Sequence, residues 1–136
     1  MSARRPPAKA VRSADAPAPL GPYSQAIESG GWLFCSGEIG LDPASGRLVG
    51  GGVGEEARQA LRNLAAVLSA AGIGFEDVVK TTIYLVDLGD FAVVNEIYGE
   101  FARAPYPSRA TIGVAALPRG ARVEIEATAR TAPAEG

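Results

Sequence analysis

The 136-residue sequence predicts an α+β domain in which one mixed β-sheet carries two helices packed on one face. Three observations lead there. Apolar residues recur with the period of a helix face at Ala57, Ala60, Leu61, Leu64, Val67, Leu68 and Ala71, and again at Phe91, Val94, Ile97, Tyr98 and Phe101. Short runs of strand-like composition stand before, between and after these two segments. The resulting order, β-β-α-β-α-β-β, leaves the second sheet face with more apolar residues than water favours, so self-association is expected.

The elements follow in order. Residues 1–18, rich in Ala, Pro and Arg and without apolar periodicity, read as a flexible basic tail. Gln25 to Glu28 and Trp32 to Ser36 read as strands joined by Ser29-Gly30-Gly31, whose small residues suit a hairpin turn. A long loop follows from Leu41 to Gly54, with a turn at Asp42-Pro43-Ala44-Ser45-Gly46. The first helix spans Glu55 to Ala71, where Glu55 and Glu56 favour its positive end and Gly72 can terminate it. Val78 to Val86 alternates as a strand. Asp90 is placed to cap the second helix, and Pro105 and Pro107 end it. Two closing strands, Arg109 to Ala115 and Ala121 to Arg130, flank a turn at Leu117-Pro118-Arg119-Gly120. Residues 19–132 thus form a single domain, with 133–136 as a short C-terminal tail.

Hydrophobic residues make up 47% and charged residues 21% of the chain, the balance of a globular protein. No run reaches the roughly 18 apolar residues that cross a bilayer. One cysteine, Cys35, cannot pair within the chain and lies in an apolar run, so it reads as buried packing in a reducing, cytoplasmic setting. Arg4, Arg5, Lys9 and Arg12 precede the first acid, Asp15. The rest of the chain therefore holds nine basic and 15 acidic residues, a formal −6. Such a body is poorly suited to neutralising phosphates, so nucleic acid is disfavoured as a partner. The absence of histidine removes the usual triad base and the commonest transition-metal ligand, a single cysteine cannot build a zinc site, and metal catalysis is not expected. Gly50-Gly51-Gly52-Val53-Gly54 lacks the Gly-Lys-Ser/Thr of a phosphate loop and is followed by two acids.

The best candidates for chemistry are Arg109 and Glu124, placed by this reading on two adjacent strands joined by a tight turn. A guanidinium at the head of an apolar strand suits a planar carboxylate, because its fork of donors meets two oxygens at once. A carboxylate opposite it handles a proton or a water. Structural ion pairing and a charged exposed face, with Arg122, Glu124 and Glu126 on one side of the last strand, are the plainer alternatives. Tyr23, between Pro22 and Ser24, is either a packing residue at a turn or a lid over a small ligand.

Several segments together, Gly21-Pro22-Tyr23-Ser24-Gln25-Ala26, Ser36-Gly37-Glu38, Lys80-Thr81-Thr82, Val94-Asn95 and Arg109 to Glu126, resemble the Rid family, the reactive intermediate deaminases, also called the YjgF or L-PSP endoribonuclease family. The resemblance spans residues 17 to 131. It implies a chorismate-mutase-like fold, a homotrimer with its sheets turned inward, and ligand clefts between subunits. It further implies cofactor-free hydrolysis of enamine and imine acids, such as 2-aminoacrylate and 2-aminocrotonate, to 2-oxo acids and ammonia. By resemblance Arg109 binds the substrate carboxylate, Glu124 positions water, Tyr23 stands at the cleft mouth, and Gly37 and Asn95 line the cleft. Thr111 and Ala110 depart from the pattern, standing where many members carry cysteine and serine. Altered substrate preference with retained deamination is expected from them. Ribonuclease action and non-catalytic binding of 2-oxo acids are the competing classes.

Overall fold

The computed structural model describes residues 7–131; the first six residues and the last five, including the expected C-terminal tail, lie outside the described residues. Strands β1 (Lys9–Val11), β2 (Ala26–Ser29) and β3 (Trp32–Glu38) precede helix α1 (Val53–Ala70). Strand β4 (Val78–Leu85), helix α2 (Phe91–Phe101) and strands β5 (Ser108–Gly113) and β6 (Val123–Arg130) complete the domain. The strands form one mixed sheet in the order β1-β2-β3-β6-β4-β5. Only β4 and β5 pair in parallel, and α2 supplies the crossover that parallel pairing demands.

The expected tail is corrected from residue 9 onward. Lys9–Val11 pairs antiparallel with Ala26–Glu28, and Val11 and Ala16 are buried. The buried Gln25 side chain ties the following segment down. Its oxygen accepts from Ser13 N (2.6 Å), while its amide donates to Ser13 O (3.1 Å) and Pro17 O (2.8 Å). A three-residue strand paired with β2, and a following segment held by one distant glutamine, carry no periodicity for sequence reading to detect.

The hairpin between β2 and β3 turns on Gly30 and Gly31, both at positive φ (60° and 86°), as its two-residue loop requires. Helix α1 buries Ala57, Ala60, Leu61, Leu64, Val67 and Leu68 against Leu33, Ile83, Leu85, Val123 and Ile125. Each fully buried leucine or isoleucine contributes about 2 kcal/mol of transfer free energy. Asn63 is also buried on this helix. Its amide donates to the carbonyls of Ile39 (3.2 Å) and Leu41 (2.9 Å), fixing the chain that leaves β3.

Two local expectations for α2 change. Asp90 makes no side-chain capping bond; Asp87 instead accepts from Gly89 N (2.8 Å) and caps the short 3-10 turn Leu88–Asp90 that leads into the helix. Phe91, expected on the buried face, is 41% exposed. The other sheet face stays uncovered as expected, and Trp32, Phe34 and Ile112 stand exposed along the strands.

Candidate active site

The alternation of β6 divides its side chains between two environments. Val123, Ile125, Ala127 and Ala129 enter the core beneath the helices, so Glu124 and Glu126 point to the opposite face. Strand β4 runs beside them, and the Tyr84 hydroxyl donates to the Glu126 carboxylate. On the other side of β6, pairing with β3 advances from Cys35–Ala127 to Glu38–Ile125. One extra residue on β3 is therefore accommodated as a bulge. The bulge displays Ser36, Gly37 and Glu38 toward Glu124.

A cavity of about 450 Å³ opens there, walled by Pro17, Leu20, Tyr23, the β3 bulge, Pro118, Glu124 and Glu126. Gly37 makes room for the acid. A Cβ on it would come within 2.8 Å of Glu124 Cδ and 3.0 Å of Cγ. Tyr23 stands 51% exposed at the rim, its hydroxyl accepting from Leu20 N (3.2 Å), and Ser36 Oγ donates to Ser24 O (2.6 Å). Burial, reinforced by the neighbouring Glu126, raises the Glu124 carboxyl above its ordinary value. Burial and then Glu124 push Glu38 up to about 8. Burial, and then Glu38, push the Cys35 thiol up to about 12, which favours its neutral form.

Arg109 lies elsewhere. In β5 it sits level with Thr81, whose hydroxyl shares a 2.7 Å hydrogen bond with that of Tyr98 on α2. The guanidinium carbon is 5.0 Å from the Tyr98 ring centroid and 5.5 Å from that of Phe91. The two rings hold the fork without consuming its donors, and the Arg109 guanidinium makes no hydrogen bond or salt bridge among the described residues. Asn95 and Thr111 share a small crevice with it, and a wider cavity of about 480 Å³ adjoins Arg109, Asn95, Tyr98 and Tyr106.

The expected juxtaposition of Arg109 and Glu124 on adjacent strands is therefore corrected. Strand β4 separates β5 from β6, and the two side chains occupy opposite faces of the sheet. Two separate groups result: Tyr23, Gly37 and Glu124 around one cavity, and Arg109, Asn95 and Thr111 around a crevice on the other face. Sequence reading missed Glu38 as a cavity residue and the aromatic pair that frames Arg109. An acid directly after Ser36-Gly37 in an apolar run was the available signal for the first.

Comparison with known proteins agrees with this architecture. The family model described as Endoribonuclease L-PSP matches residues 13–131. A Mus musculus protein named 2-iminobutanoate/2-iminopropanoate deaminase is 54% identical over 125 residues, covering 92% of this chain and 93% of the relative. The crystal structure of RidA from the Antarctic bacterium Psychrobacter sp. superposes with a TM-score of 0.86 at 42% identity, covering 90% of this chain and 98% of that one. E. coli TdcF with bound serine superposes at 0.84 and 38% identity, with the same coverage. A family match running from just beyond β1 to the last described residue, with about half the positions shared with a named relative, makes this chain a member of the endoribonuclease L-PSP family, to which the RidA and YjgF proteins belong.

Proposed function

We propose that the protein hydrolyses small 2-imino acids to 2-oxo acids and ammonia, in a site completed when a second copy of the chain brings its Arg109 to the Glu124 cavity. The observation that carries this reading is the division of the site. A guanidinium with free donors and a cavity of raised carboxyls stand on opposite faces, and neither is a complete site alone. The exposed Trp32, Phe34 and Ile112 supply an apolar reason for copies to meet, and a homotrimer closes such an interface without leaving a repeat open. The relatives named as iminobutanoate and iminopropanoate deaminases support the substrate class, and serine in TdcF supports a ligand of amino-acid size.

The chemistry follows from these groups. The substrate carboxylate meets the Arg109 fork, which sets the C=N carbon toward Glu124. A carboxyl whose affinity for protons is raised by burial is a stronger base than an exposed one. It orients a water and takes its proton as oxygen bonds to the carbon of the protonated imine, whose C=N π pair moves to nitrogen to give a carbinolamine. Glu124 returns that proton to nitrogen, and the carbinolamine hydroxyl gives its own proton to the freed carboxylate as C=O forms and the C–N bond breaks, its electron pair leaving on ammonia. Tyr23 at the rim limits access to bulk water, Gly37 keeps room for the Glu124 carboxylate, and Asn95 and Thr111 flank the arginine end.

The test is release of ammonia and 2-oxo acid when the protein is added to a serine/threonine dehydratase reaction. Arg109→Ala is expected to lower kcat/KM on 2-iminopropanoate by about 10²-fold, the loss of a charge-assisted pair. Wild-type activity in that variant overturns the reading. Saturable binding of 2-oxo acid without turnover would identify a binding protein instead.

A further inference from the structure

The Tyr23 cavity brings together three carboxyl groups, and the arithmetic of their charge is unresolved by Arg109 and Glu124 alone. Glu38 reaches the cavity from the β3 bulge, and Glu124 and Glu126 reach it from β6. No arginine or lysine lines the cavity among the described residues. The other titratable groups nearby are Tyr23 at the rim, Tyr84 of β4, which donates to Glu126, and Cys35 on the same strand as Glu38. Glu38 is only 8% exposed, and among the described residues its carboxyl has no hydrogen-bond partner.

An arginine arriving from a second copy does not remove the problem, because its charge is matched by the carboxylate of the substrate it holds. Three ionised carboxyls would then share a partly desolvated space with an anion. Like charges so placed cannot all ionise, and the proton goes to the most buried member.

Resting on the proposed deaminase reading, we propose that Glu38 is a positioning residue that carries a proton in the working enzyme, so that the cavity holds one negative charge fewer beside Glu124 and admits an anionic substrate. Its deprotonation places another negative charge beside Glu124 and the ligand, which opposes substrate binding. This agrees with the upward push on Glu38 by burial and by Glu124. The device is a charge gate. It is open below about pH 8 and closes above it.

The experiment pairs kcat/KM profiles from about pH 6 to about pH 10 with infrared difference spectra of the full-length protein over the same range, for wild type, Glu38→Gln and Glu38→Asp. In wild type the infrared band of a neutral carboxyl is expected to disappear with a midpoint near pH 8, and kcat/KM to fall about tenfold per pH unit beyond it. Glu38→Gln, permanently neutral, is expected to lack that band and to lose the alkaline fall. Glu38→Asp keeps a titrating band with a moved midpoint and serves if the Gln variant does not fold.

A wild-type spectrum with no Glu38-dependent neutral carboxyl near neutrality overturns the inference whatever the activity. The same alkaline fall in Glu38→Gln as in wild type also overturns it. Absence of deaminase turnover with the band present would remove the proposed reaction while leaving the protonated Glu38 standing.

Discussion

Arg109 and Glu124 are carried by strands that never touch: β4 lies between β5 and β6, and the two side chains leave the sheet on opposite faces. If a second copy closes the site, two inactive variants complement each other. Arg109→Ala and Glu124→Ala, denatured together in equal amounts and refolded, are expected to regain about a quarter of wild-type sites, because each site needs one intact neighbour of each kind. Each variant refolded alone stays at its low level. Deaminase assays on the mixture check this, and no gain over the separate variants rejects a shared site.

Gly37→Ala tests the room made for the Glu124 carboxylate. A Cβ at 2.8 Å from Glu124 Cδ forces that side chain to move. A displacement of about 1 Å at a reacting group costs on the order of 10²-fold in rate. The expected outcome is a fall of that size in kcat, with far-ultraviolet circular dichroism unchanged. A fully active Gly37→Ala would show that Glu124 needs no fixed place.

Glu38 also makes stability depend on pH, with a definite sign. Its folded value, about 8, lies above its ordinary 4.5, so between those limits the folded protein holds a proton that the unfolded chain has released. This contribution is whole below about pH 4.5 and is lost as pH rises through about 8, by on the order of 5 kcal/mol at most. Thermal melts should show wild type losing stability across that window more steeply than Glu38→Gln. Parallel curves for the two proteins contradict the assignment.

Gln25→Ala releases the segment that walls the cavity. It removes the partners of Ser13 N, Ser13 O and Pro17 O, and a cost of about 2 kcal/mol is expected. Proteolysis should then cut between β1 and β2 under conditions where wild type stays whole. Equal protection in the two proteins would show that β1 pairing alone holds the segment.

Much of the framework was legible in the chain. The face of α1, the hairpin on Gly30 and Gly31, the alternation of β6 and the uncovered sheet face all follow from short-range periodicity and turn chemistry, and the structure contains them. Tyr23, Gly37 and Glu124 do share a cavity, and Asn95 and Thr111 do lie beside Arg109. Other features were invisible because they depend on residues far apart. Strand β1 exists through pairing with β2, the segment after it is held by Gln25, and Asp87 displaced Asp90 as the capping acid because of the local turn before α2.

Sequence by itself determined the element order, the apolar faces and the residue types available for chemistry, since these follow from local period and composition. Tertiary structure alone decided that β6 enters the sheet between β3 and β4, leaving Arg109 and Glu124 on opposite faces, and that a one-residue bulge turns Glu38 into the cavity. Strand order and register are settled by long-range pairing and by which side chains fit beneath the helices, and neither is written in any single segment.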